Sequence, residues 1–142
     1  MNDPLKIGIV GLGKMGGIRA KTVRDNDETV LVSGTDPDLN RSGFEDIDLL
    51  PDYQAVINSG VDAVVVCTPN RFIHDVTIAA LEAGKHVFVE KPPGRNMEDI
   101  SRIMEAEKAH PGQVVKVGFN HRYHYGIMEA KKIIESGMYG KI

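Results

Sequence analysis

A doubly wound α/β domain, in which one parallel sheet lies between two helical layers (αβα), is predicted by three observations on this chain of 142 residues. Short apolar or β-branched runs alternate with segments of helical periodicity along the chain. The runs stop at glycine, proline or small polar residues, as strands do at turns. Strand and helix alternate several times in this order, so parallel strands joined by right-handed crossovers, with helices covering both faces, are expected.

The run LKIGIV at 5–10 ends in glycines and forms the first expected strand. Met15, Ile18 and Val23 then recur at helical spacing, which predicts a helix over 13–24. Residues 29–35 are β-branched and stop at Asp36-Pro37, giving a second strand. The segment Leu39-Asn40-Arg41-Ser42-Gly43-Phe44 is too short and polar for a helix, so this crossover is expected to be a loop. A valine-rich strand over 62–67 stops at Thr68-Pro69-Asn70. Ile73, Val76, Ala80 and Leu81 at i, i+3, i+7 and i+8 predict a helix closed by Gly84. The run HVFVE at 86–90 is another strand. Asn96 is a natural cap for a helix reaching His110, with Met97, Ile100, Ile103 and Met104 on one face and Glu98 and Asp99 at its positive end. A strand over 114–119 and a helix over 127–136 complete the chain.

One domain spanning 1–142 fits the length, and there is no repeat, low-complexity tract or linker. A formal charge of -3 argues against a nucleic-acid binder, and the apolar runs are far shorter than the ~20 residues that span a bilayer. The opening Met1-Asn2-Asp3-Pro4 lacks the pattern of a secretory leader, so a cytoplasmic location is expected. The single cysteine, Cys67, is expected as a buried, inert thiol. His121 and His124 alone do not make a metal site, and none is expected.

Gly11-Leu12-Gly13-Lys14-Met15-Gly16 has the spacing G-x-G-x-x-G between a strand and a helix. The first glycine permits a tight turn, the second lets the backbone approach a pyrophosphate, and the third lets helix and sheet pack closely. The helix dipole then favours phosphate charge. Asp36 lies 36 − 16 = 20 positions after Gly16, where a carboxylate can accept bonds from adenosine ribose hydroxyls and repel a 2′-phosphate. NAD(H) is therefore expected in preference to NADP(H). The alternative for Asp36 is a turn residue, since Asp-Pro is also turn chemistry.

With CTPNRFIH at 67–74, VEKPPG at 89–94 and GFNHRYH at 118–124, the chain resembles the glucose-fructose oxidoreductase, inositol dehydrogenase and MocA family of sugar and polyol oxidoreductases. The resemblance implies a Rossmann domain that holds NAD. It implies that Thr68, Pro69 and Asn70 pass beneath the cofactor, and that His74 opens the next helix near it. It also implies that Glu90, Lys91 and Pro92 border the nicotinamide, with Lys91 as the catalytic residue. Hydride loss from a carbinol carbon requires loss of its hydroxyl proton, which a lysine of lowered pKa can take. Glu90 is expected to orient the Lys91 ammonium, and Lys91-Pro92 to be a cis bond. Asn120, Arg122 and Tyr123 are expected on the substrate side or at an interdomain contact.

Two departures stand out. The crossover after Asp36 lacks the helix that relatives usually carry, and Arg19 stands where relatives often have His. The family's second α/β domain, which holds the substrate pocket, further catalytic groups and the oligomer surface, is not expected within these residues. Taken alone the chain is expected to bind cofactor with negligible turnover, because substrate positioning supplies much of an enzyme's rate. The competing function is a dinucleotide-binding or sensing module without catalysis. A small sugar or polyol partner and homo-oligomerisation of the full protein complete the expectations.

Overall fold

The computed structural model describes residues 3–40 and 42–140. Arg41, the nearest basic residue after Asp36, lies outside them. Strand β1 (Leu5–Val10) leads through the glycine turn into α1 (Lys14–Arg24), then β2 (Thr29–Thr35), β3 (Asp48–Leu49), α2 (Tyr53–Asn58), β4 (Ala63–Val66), α3 (Asn70–Glu82), β5 (His86–Val89), α4 (Met97–Ala109) and β6 (Val115–Val117). A turn of 3-10 helix (Asn120–Tyr123) and α5 (Tyr125–Glu135) follow. The six-stranded sheet is parallel throughout, in the order β3-β2-β1-β4-β5-β6. Strand order reverses between β1 and β4, and this reversal opens a crevice at the carboxyl edge.

Side-chain alternation divides the core in two. Ile7 and Ile9 join Leu12, Ala20, Leu31, Phe44 and Val65 on the α1 face. Val10, Val64, Val66, Val87 and Val89 face the other way, onto Val56 and Ile57 of α2 and Ile73, Val76, Ala80 and Leu81 of α3. Each such apolar side chain contributes about 1.5–3 kcal/mol by leaving water, before chain entropy is subtracted. The sandwich is uneven. Helices α2, α3 and α4 serve one face, whereas the other has α1 and the loop after Asp36, and α5 buries none of its residues.

The loop after β2 is pinned rather than helical, as expected. Phe44 is buried against the core, and Arg24 donates to the Gly43 carbonyl at 3.2 Å and through Nε to the Asp46 carboxylate at 3.0 Å. Two elements gave no sequence signal. Strand β3 has two residues and so no alternation, and it pairs Ser33 with Asp48 and Gly34 with Leu49. Helix α2 is too short for periodicity and relies on Asp52, which accepts from the Ala55 N–H at 2.8 Å. Helix α3 begins at Asn70, ahead of its apolar stripe, because Pro69 presets the entry at φ -55° and the first turn is exposed. Asn96 caps α4 as expected, accepting from the Asp99 N–H at 2.9 Å, and Gly84 follows α3 with φ +73°. Among the described residues, no helix is long and apolar enough to cross a membrane.

Candidate active site

The glycine turn is built by backbone crowding. At Gly11, φ is +95° and a Cβ would stand 2.7 Å from the Cys67 carbonyl, so both conformation and space demand glycine. At Gly16 a Cβ would come within 2.1 Å of the Gly11 oxygen, which is how α1 approaches the turn so closely. Gly13 differs, because a Cβ there would meet nothing within 4 Å. No side chain caps α1 and no acid sits in its first turn, so its positive end opens onto that space. Lys14 and Met15 are exposed in the first turn beside it.

Around the turn lies a cleft of about 940 Å³, lined by Gly11, Gly13, Asp36, Thr68, Pro69 and Phe72 among others. Asp36 accepts from the Leu12 N–H at 2.9 Å and the Asp38 N–H at 3.1 Å, so it is a turn residue and a wall of the cleft at once. The Thr68 hydroxyl is buried without a hydrogen-bond partner. A dinucleotide fits these features: bare space over Gly13 at a helix N-terminus, an unsatisfied hydroxyl and a carboxylate on the wall. Asn70 is exposed in the first turn of α3. The sequence reading passed over Arg71 and Phe72, which line the cleft with the guanidinium 4.5 Å from the ring centroid. Their signal was an aromatic and a cation in the turn that follows Thr68-Pro69.

At the ends of β5 and β6 a second cleft, of about 550 Å³, is lined by Lys91, Gly118, Phe119, Asn120, His121 and Arg122. Lys91 is exposed there, next to a cis Lys91–Pro92 bond, and so shares a cleft with Asn120 and Arg122. Tyr123 lies outside this lining, with the Lys116 ammonium 5.6 Å from its ring centroid.

Two expected roles are corrected. Glu90 does not orient Lys91. Its carboxylate is buried and accepts from Arg19 Nε at 2.6 Å, and a second guanidinium nitrogen meets the same oxygen. The strand pleat sends Glu90 inward toward α1 and leaves Lys91 exposed. His74 does not open α3 beside the cleft. The helix starts a turn earlier, and the ring is buried, with Nε2 3.2 Å from Asp75 and 3.7 Å from Asp99. It belongs to the α3–α4 contact that carries the segment after Pro92. Asp99 accepts from the Arg95 backbone N–H at 2.9 Å and from its Nε at 2.8 Å, and these bonds hold its carboxyl well below the usual carboxylate range. Gly94 fits beside it, since a Cβ there would stand 2.8 Å from that of Asp99.

Burial, with the Glu90 charge adding to it, pushes the Cys67 thiol up to about 12, consistent with an inert cysteine. Among the described residues, no group of three or more His, Cys, Asp or Glu side chains is placed to hold a metal ion.

Comparison with known proteins agrees with the fold. The family model GFO_IDH_MocA, "Oxidoreductase family, NAD-binding Rossmann fold", matches residues 5–119. Myo-inositol 2-dehydrogenase of Thermotoga maritima is 32% identical over 143 residues, covering 96% of this chain and 42% of the relative. Among solved structures, myo-inositol 2-dehydrogenase of Lactobacillus plantarum superposes with a TM-score of 0.91 at 31% identity, covering 99% of this chain and 43% of that one. Scyllo-inositol dehydrogenase of Lactobacillus casei, solved with bound NAD(H) and scyllo-inositol, gives 0.90 at 30% identity, covering 99% and 43%. The chain thus spans less than half the length of these relatives.

Proposed function

Because the chain belongs to the GFO_IDH_MocA oxidoreductase family by its NAD-binding Rossmann domain, we propose that it is the cofactor half of an enzyme moving hydride between NAD and a secondary alcohol of an inositol, sugar or related polyol. The observation that carries this reading is the placement of two clefts along one sheet edge. Gly11, Asp36 and Thr68 follow β1, β2 and β4 around the first, and Lys91 and Gly118 follow β5 and β6 around the second.

Bound NAD supplies the hydride acceptor. The chain's residues supply the rest. The open face of Gly13 and the N-terminal end of α1 take the pyrophosphate, and the Thr68 hydroxyl gains the partner it lacks. Asp36 takes the ribose hydroxyls and disfavours a 2′-phosphate, which sets NAD(H) above NADP(H). As the carbinol hydrogen leaves as hydride with the C–H electron pair, the O–H pair becomes the carbonyl bond and the hydroxyl proton passes to the Lys91 side chain as general base, a step worth about 10²–10⁴ in rate. Asn120 and Arg122, which line the same cleft, are the groups proposed to hydrogen-bond neighbouring hydroxyls.

Fluorescence titration of this chain with NADH and NADPH, repeated on Asp36→Asn and Lys91→Met, tests the reading. Asn keeps an acceptor for the Leu12 N–H while removing the charge. Saturable binding that favours NADH is expected, with the preference narrowed in D36N and NADH affinity kept in K91M. In the full-length protein, K91M should abolish NAD-linked oxidation of myo-inositol. A folded chain that binds neither nucleotide overturns the proposal.

A further inference from the structure

We propose that Arg19 is a positioning residue that holds and neutralises the Glu90 carboxylate, already turned inward by the strand pleat, so that the lysine faces its cleft without a carboxylate partner. The inference rests on the proposed role of Lys91. Arg19 projects from α1, the helix that opens with the glycine turn, and reaches the end of β5. Its Nε donates to Glu90 Oε1 at 2.6 Å, its terminal nitrogen reaches Asn120 Oδ1 at 3.4 Å, and its guanidinium carbon lies 4.8 Å from the Phe88 ring centroid. One planar cation thus joins the cofactor-turn helix, the strand that delivers Lys91 and the segment that delivers Asn120.

The carboxylate has little freedom to leave this position. Its side chain is 8% exposed and that of Arg19 15%. Glu90 Oε2 fills the place where a Cβ on Gly118 would come within 3.3 Å, beside the Phe88 ring at the same distance. A buried carboxylate without a counter-charge either takes a proton or turns to the nearest cation, and Lys91 is its chain neighbour. An ammonium held by a carboxylate keeps its proton to higher pH, which opposes the task of accepting one. Arg19 removes that competition, and no other carboxylate bonds Lys91 among the described residues.

The charged and titratable groups that line the Lys91 cleft or bond Glu90 are Arg19 on α1 and His121 and Arg122 after β6, with Cys67 near enough to feel the Glu90 charge. Glu90 is the one carboxylate among these groups. Its neutralisation therefore decides whether this corner adds a negative charge to the surroundings of Lys91.

The test is the titration of Lys91 itself, followed through its ¹³C-labelled ε-carbon by NMR in this chain, with NADH binding measured on the same samples. Arg19→Met should raise the Lys91 midpoint by about 1 pH unit or more, and Glu90→Gln, which leaves the Arg19 charge uncompensated, should lower it. The double variant R19M/E90Q should return it to within about 0.3 units of the wild type, and Arg19→Lys should rescue it to the same degree. A purely structural Arg19 would lower thermal stability in R19M and leave the Lys91 midpoint in place, which overturns the inference. If R19M does not fold, an unchanged midpoint in E90Q, a nearly isosteric change, overturns it equally. Nucleotide binding by the wild type reports on the proposed function independently, because the midpoint shifts are read without cofactor.

Discussion

Two stretches of comparable apolar content meet different fates in this molecule. In α3, Ile73, Val76, Ala80 and Leu81 are fully buried against β4 and β5. In α5, Ile127, Met128, Ile133 and Ile134 are 44–56% exposed, and neighbouring Tyr125 and Tyr139 are more exposed still. Both helices are amphipathic in sequence. The difference is that α3 returns its stripe to the sheet through a crossover, whereas α5, which follows β6, lays its stripe on no strand among the described residues. Amphipathicity therefore states that a helix needs a partner and does not say which one.

The contrast between the packed region and the C-terminal segment is testable, beginning with the largest expected effect. Cys67, partly buried where the packed region meets the first cleft, should react with iodoacetamide at neutral pH roughly a thousandfold more slowly than a model thiol, as its elevated pKa leaves few thiolates. Reaction at the free-thiol rate in the native chain would mean that burial and the Glu90 charge do not suppress its thiolate. Leu81→Ala should cost about 3 kcal/mol in urea unfolding, because the side chain is wholly buried among Ile73, Val87 and their neighbours. A cost below about 1 kcal/mol would show that α3 packs no more tightly than α5.

An intermediate effect is expected where α4 meets α3. The native pKa of Asp99 is depressed, so its contribution to stability is present above the unfolded value of about 4 and is lost as pH falls toward the native value. Asp99→Asn should therefore flatten the fall of melting temperature between about pH 4 and pH 2, measured by circular dichroism. Glu45 and Asp46, lowered by Gly43 and Arg24, should leave a residual slope. A slope identical to the wild type would remove Asp99 from the acid transition. The smallest effect belongs to the exposed segment, where Ile134→Ala should change stability by less than about 0.5 kcal/mol. A cost near that of L81A would show that α5 has a packing partner in solution.

The same contrast explains what the sequence revealed. Strands with a β-branched run and a turn at each end, such as Thr29–Thr35, were legible because burial on both faces leaves a local signature. Helices with a full apolar stripe were legible for the matching reason, and Gly11 and Gly16 because only glycine fits where backbone meets backbone. Strand β3 was not legible, since two residues joined by backbone bonds leave no pattern, and α2 was too short to show one. In the site, the glycine turn and Asp36 could be located from motif spacing, and Thr68, Lys91, Asn120 and Arg122 from the family resemblance, but the partners of Glu90 and His74 could not. Those partners come from α1 and α4, and which of two neighbouring side chains turns inward depends on a pleat that starts elsewhere in the chain.

The carboxylate of Asp36 has a consequence for how such a protein can change over generations. One group both secures the glycine turn through the Leu12 N–H and forms a wall of the first cleft. On the proposed role of that cleft, mutational paths toward a phosphorylated cofactor are therefore ordered. A first step to Asn removes the charge and spares the turn, whereas a first step to Ala loosens the turn before any new preference exists to be selected. Lineages that switch should pass through the amide, and new cations for the phosphate should arrive only afterwards.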